Sequence, residues 1–182
     1  GGPLCRRLMG REGERREDFD RKSTPAIAME AYFCYAAKDK RREQNMVRPI
    51  IKDVLLLGRR AEAAVEADLP VVQDLMDTLR AHTGHCVGLA ANMIGVNKRI
   101  IVVDGGGVPF PMLNPVIRKR MGEPYEAEEG CLSHSGTRRT LRYPSIEVEF
   151  QNLSLQTCRQ RYSGFLAQII QHELDHCEGV LI

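Results

Sequence analysis

His172 and His176 stand four residues apart, with Glu173 directly after the first, in Gln171-His172-Glu173-Leu174-Asp175-His176. On a helix that spacing puts both imidazoles on one face, where they can grip a single cation. A glutamate beside the first histidine can reach a water on such an ion, which is the arrangement of a hydrolytic site. The bland alternative is a solvated helix end on which two of the chain's five histidines coincide with a glutamate. A catalytic ion of this kind needs a third protein ligand and one open position. Cys131, in Glu128-Glu129-Gly130-Cys131-Leu132-Ser133, is the natural candidate. Its segment reads as extended and contains glycine, so a thiolate could approach the helix while backbone N–H groups stay available. Taken alone, such a cysteine is more often a packing residue. A thiolate with two imidazoles suits zinc or iron, and spacing does not choose between them.

The element that must carry the histidines is the clearest in the chain. Ser163 is placed to cap a helix from about Gly164 to Cys177, with Gly179 at its stop. Phe165, Leu166, Ile169 and Ile170 supply its apolar positions. Cys177 adjoins His176 but points about 100° away around the helix, so packing is its expected role. Val72, Leu75, Met76 and Leu79 form the stripe of a second amphipathic helix, with Asp68 as its cap, Pro70 in its first turn and Gly84 at its end. Arg99–Asp104 reads as a strand entering a hairpin turn at Asp104–Gly107, and without a following P-loop lysine those glycines are a plain turn. Phe110–Leu113 and Val116–Arg120 read as strand pieces on either side of Asn114-Pro115. Ser145–Gln151 alternates Ile146, Val148 and Phe150 inward against Glu147 and Glu149 outward, and Leu155–Tyr162 is a weaker partner for it. Strands followed by one terminal helix predict an α+β domain.

Composition narrows the function classes. The 182 residues are 43% hydrophobic and 27% charged, which is globular. No apolar run approaches the roughly 18–20 residues of a membrane span, and 26 Lys and Arg against 24 Asp and Glu nominate neither nucleic acid nor membrane. No signal-peptide core is visible, so the expected setting is the reducing cytoplasm, with the six cysteines as packing groups or ligands. Residues 1–45 hold 11 Lys and Arg with 8 Asp and Glu and only one short apolar patch. They are expected to be either a spurious translated extension ahead of a true start at Met46 or a disordered basic arm, because they cannot bury enough apolar surface to fold. The folded domain is expected over 46–182.

Three segments occur in the order and approximate spacing of one known family. They are Val87-Gly88-Leu89-Ala90-Ala91-Asn92-Met93-Ile94-Gly95, Glu129-Gly130-Cys131-Leu132-Ser133 and Gln171-His172-Glu173-Leu174-Asp175-His176. With Asp77-Thr78-Leu79, Leu113-Asn114-Pro115 and Arg142 between them, residues 46–182 resemble the peptide deformylases. The resemblance implies a deformylase-like fold, short antiparallel strands packed around a C-terminal metal-binding helix. It implies a metal-dependent hydrolase that removes the N-formyl group from the N-terminal methionine of new polypeptides and releases formate. Cys131, His172 and His176 would hold one divalent ion, Fe(2+) as is usual in the family, with Zn(2+) as the substitute. Glu173 would take a proton from the attacking water and return it to the departing amine. The backbone N–H of Leu132 would serve the oxyanion, and Val87, Gly88 and Leu89 would pair with the substrate backbone as an added strand. Phe165 and Ile169 lie on the helical face of His172 and would line a pocket for the methionine side chain, unless they are ordinary core. The implied partners are N-formylmethionyl nascent chains and, transiently, the ribosome, with no DNA and no membrane.

The sequence departs from that family at Met93, where glutamine is usual. A glutamine amide donates to a developing oxyanion and a thioether has no proton to give. Loss of one such donor costs about 3–4 kcal/mol, or 10²–10³ in rate. Asn92 carries an amide, but in an extended segment it would face the other way. Cys86 stands where the family often has glycine, and would narrow the groove or pack beneath it. Two other readings follow from these residues: a protein that binds peptide N-termini with little or no turnover, motivated by Met93, and a zinc endopeptidase. The second is weakened by the few residues left after His176 to supply a downstream ligand.

Overall fold

The stripe Val72, Leu75, Met76 and Leu79 is wholly buried on a helix from Leu69 to Ala81, each such side chain stabilising the fold by about 1.5–3 kcal/mol. This computed structural model describes residues 46–106 and 108–182, so both expectations for residues 1–45 lie outside the described residues, as does Gly107. Among the described residues the α-helices are α1 (Val54–Leu57), α2 (Leu69–Ala81) and α3 (Gly164–Cys177). The strands are β1 (Gly88–Ala90), β2 (Ile100–Val103), β3 (Phe110–Met121), β4 (Tyr125–Gly130), β5 (Thr137–Arg142), β6 (Ser145–Gln151) and β7 (Thr157–Ser163). Asp68 is the N-cap residue of α2, but its carboxylate turns back to accept the Val65 N–H at 2.9 Å.

β1-β2-β3-β6-β7 form one antiparallel sheet in that order, and β4-β5 form a separate hairpin. The two pieces expected around Asn114-Pro115 are a single strand, β3. Asn114 takes φ 52° and the register with β6 shifts there. Asparagine tolerates this conformation, and its side chain satisfies the local backbone by bonding both the N–H and the carbonyl of Ala64. β6 buries Ile146, Val148 and Phe150 as its alternation requires. β7 begins at Thr157, because Leu155 lies in the connecting turn at φ 59°.

β4 and β5 have no counterpart in the sequence reading. Their residues, YEAEEG and TRRTLR, are too charged to show an inward–outward period. Opposite charges face each other across the pair, Glu128 against Arg139 and Glu129 against Arg138, which favours this register. A second correction concerns Ala91–Ile94, a 3-10 turn and not an extended segment. The core lies where α2 and α3 pack on β1 and β2, and α3 also reaches β7. The architecture is α+β, with short antiparallel strands around a terminal helix.

Candidate active site

Helix α3 has the bounds its sequence indicates, although the Ser163 hydroxyl bonds Ser145 at 2.9 Å instead of capping the first turn. Gly179 follows the helix at φ 75°, the left-handed stop that glycine allows. Leu166, Ile169 and Ile170 fasten the first half of α3 to the core. The next turn then carries His172, Glu173 and His176 inward, at 6%, 3% and 1% exposure. Cys131 follows directly on the end of β4, so the charged hairpin brings it to that turn.

Cys131 Sγ lies 3.2 Å from His176 Nε2. One donor atom from each of Cys131, His172 and His176 falls within 4.8 Å of the other two. The Ser133 N–H reaches the sulfur at 3.4 Å. His172 Nδ1 is 2.9 Å from Glu129 Oε2, which leaves Nε2 directed away from the carboxylate. Glu129 is fully buried and clamped: Arg142 donates Nε to Oε1 at 2.9 Å and Nη2 to Oε2 at 2.6 Å, and Gln168 adds Nε2 to Oε1 at 3.0 Å. Arg142 Nη1 continues to Asp175 at 2.6 Å, locking β4, β5 and α3 to one another. Metal-binding histidines are oriented by this kind of carboxylate partner.

The electrostatics fit a cation. Burial pushes the Glu129 carboxyl up, but the Arg142 and His172 hydrogen bonds override it and hold it at about 2. Burial pulls His172 down, yet Cys131 and Glu129 win and raise it to about 10. Burial lowers His176 to about 3, helped by the charge on His172. A positive charge on His172 is thus held against the Glu129 carboxylate. Burial pushes Glu173 up to about 7, and its Oε2 has no partner among the described residues.

The cleft in front of these groups is walled by Cys86, Val87, Gly88, Met93 and Leu132. A Cβ on Gly88 would stand 2.5 Å from Glu173 Oε1, so only glycine lets the carboxyl approach β1 this closely. Leu89 is buried in the core behind the cleft. Phe165 and Ile169 are not brought to its wall: Phe165 is exposed at the start of α3 and Ile169 is core. Asn92 does not offer its amide to the cleft, because Nδ2 is bonded to the His176 carbonyl at 2.7 Å. Cys177 is buried packing, and burial pushes its thiol up to about 12. The sequence alone gives neither Glu129 nor Arg142 a task. The available signal was weak: an acidic residue two before Cys131, with no arginine near it in sequence.

Residues 53–182 match the family model described as polypeptide deformylase. A peptide deformylase of Clostridium beijerinckii is 54% identical over 137 residues, which cover 75% of this chain and 100% of that protein. The crystal structure of peptide deformylase from Thermotoga maritima superposes with a TM-score of 0.69 at 31% identity, over 76% of this chain and 95% of that one. A Met-Ala-Ser-bound class I type b peptide deformylase from Acinetobacter baumannii gives 0.68 at 27% identity, over 75% and 97%. With geometry, sequence and fold in agreement, the chain belongs to the peptide deformylases, metal-dependent hydrolases that remove the formyl group from an N-terminal methionine.

Proposed function

We propose that this deformylase holds its divalent ion on Cys131, His172 and His176, and that Glu173 moves the proton during formyl hydrolysis. The observation that carries the reading is the convergence of one cysteine sulfur and two imidazoles within 4.8 Å, with a buried Glu173 oxygen that has no partner among the described residues. Fe(2+) is the proposed ion, with Zn(2+) as the substitute, and the sulfur–nitrogen donor set suits both. When bound, such an ion supplies Lewis acidity and lowers the pKa of water towards neutrality.

The chain's own groups account for the rest. Glu129 fixes His172 through Nδ1, so that Nε2 faces the cluster. Glu173 accepts the proton of the attacking water and returns it to the methionine nitrogen as the C–N bond breaks, giving formate and a free amine. The Leu132 backbone N–H is assigned to the oxygen that gains charge, on the strength of its place in the cleft beside Cys131. Among the described residues β1 pairs only with β2 and ends the sheet order, so its other edge is assigned to an extended peptide along Val87, Gly88 and Leu89. The Acinetobacter relative was solved with a peptide that begins with methionine, the residue this reaction exposes. The methionine side chain is assigned to the part of α3 that carries Phe165 and Ile169, seven and three residues before His172 and beyond the walled part of the cleft. One turn on, Gln168 joins Tyr125 and Glu129 to that part of α3.

N-formylmethionyl nascent chains are the proposed substrates, met transiently at the ribosome, with neither DNA nor membrane as partner. The cytoplasm is the proposed setting, a compartment that keeps a thiolate ligand reduced. No helix among the described residues is long and apolar enough to cross a membrane. Residues 46–182 are the proposed catalytic unit.

The test is formate release from a formyl-methionyl peptide by the ferrous protein. Glu173→Gln should lower kcat by about 10²–10⁴ while metal content is retained. Full activity in that variant would refute the proton-transfer role. Tight peptide binding without formate from either protein would favour a binding role.

A further inference from the structure

His172 and His176 are not supported alike. The first has a buried carboxylate on Nδ1, whereas Nδ1 of His176 is buried and has no partner among the described residues. A ring that offers Nε2 to an ion carries hydrogen on Nδ1, and a buried N–H without an acceptor is costly. An acceptor in the same condition is carried by a residue that is hydrogen-bonded to the His176 backbone. Asn92 is 4% exposed, and its Oδ1 is likewise buried without a partner. Its amide orientation is set independently, because Nδ2 faces two carbonyls, His176 at 2.7 Å and Leu57 at 3.4 Å. The oxygen sits on the same carbon as a nitrogen already bonded to His176, which keeps it beside that residue. One unsatisfied donor and one unsatisfied acceptor thus belong to two buried residues already joined by a hydrogen bond from the Asn92 amide to the His176 carbonyl. Native structures resolve such pairs by direct contact or with a single buried water.

We propose that Asn92 is a positioning residue for His176: its Oδ1 holds the Nδ1–H through one buried water and so presents Nε2 toward Cys131. The 3-10 turn Ala91–Ile94 then contributes to both sides of the site, Met93 on the cleft wall and Asn92 behind the ligand. This inference rests on His176 being a metal ligand, and its test keeps the two claims apart.

Load the full chain with Zn(2+) and record imidazole ¹H–¹⁵N spectra. The wild-type protein should show two slowly exchanging Nδ1–H signals, from His172 and His176. In Asn92→Ala the His176 signal should exchange at least about tenfold faster or vanish, while the Glu129-bonded His172 signal stays. Zinc affinity, measured against a chromophoric chelator, should fall by about 10–100-fold. Asn92→Asp keeps an acceptor at Oδ1 and should restore the slow His176 signal, which a purely structural role would not predict. Fast exchange at His176 in the wild type, or an unchanged signal and affinity in Asn92→Ala, overturns the inference and leaves the ligand assignment standing. Failure of the wild-type chain to bind zinc removes the assignment and the inference together.

Discussion

Gly88 and Glu173 share a space that admits no further atom. Because a Cβ at Gly88 would meet the glutamate oxygen at 2.5 Å, Gly88→Ala must swing that carboxyl aside. The substitution should leave the fold intact and lower kcat by about 10², the usual effect of misplacing a catalytic group by an ångström. Circular dichroism and formate release on the same sample check both halves. Met93 poses the opposite case. It is 1% exposed on the cleft wall, and its sulfur accepts the Ala90 N–H at 3.5 Å, so it fills the site without offering a proton. Asn92 cannot replace the missing donor, since its amide nitrogen is committed to backbone carbonyls. Met93→Gln should therefore raise kcat, by up to about 10². A rate no higher than wild type would show that other donors already serve the oxyanion.

The hairpin β4-β5 and helix α3 are joined by a charge pair that carries both stability and ligand orientation. Removing Arg142 leaves Glu129 buried without its counter-charge, a change that costs about 3–5 kcal/mol. Arg142→Met should also loosen His172 and weaken metal binding. The pH dependence has a definite sign. Glu129 is held at about 2 in the folded chain against an ordinary 4.5, so in between only the unfolded state binds the proton. Its contribution is complete above about pH 4.5 and fades as pH falls towards 2. In Arg142→Met burial dominates and the folded carboxyl moves up, so the loss of stability should be larger at pH 7 than at pH 3. Urea denaturation of the metal-free chain at the two values would decide. An equal loss at both would mean that Arg142 acts through packing alone.

At the scale of the molecule, the core is continuous from α2 through β1 and β2 to α3, and the site occupies its edge. One polar atom in that core has no evident task. Tyr162 is fully buried with its ring on Phe110, centroids 6.2 Å apart, and its hydroxyl has no partner among the described residues. Burial also pushes this phenol above its ordinary pKa, so it stays neutral. Tyr162→Phe removes the orphan and keeps the ring. It should stabilise the chain by about 1 kcal/mol, raising Tm by about 2–4 °C, with formate release unchanged. A lower Tm would reveal an unseen hydroxyl partner.

Whatever depends on residues close together along the chain can be read from the order of amino acids. A 3.6-residue period marks α2 and α3, a two-residue period marks β6, and the i, i+1, i+4 set of His172, Glu173 and His176 is legible because one helical turn brings it together. Cys131 was legible through its surroundings and the resemblance they carry. What stands behind those residues emerges only when distant parts of the chain meet. β4 and β5 have no period to read, since charges pointing to solvent and a charge pointing into a buried clamp look the same in one dimension. Glu129 meets His172 across 43 positions and Asn92 meets His176 across 84. An extended reading of Ala91–Ile94 already turns Asn92 from the cleft, but only the 3-10 turn shows that it stands behind the ligand. Periodicity reports which face of an element is buried, but the partner waiting on that face is chosen by strand register and helix docking, and these are properties of the folded whole.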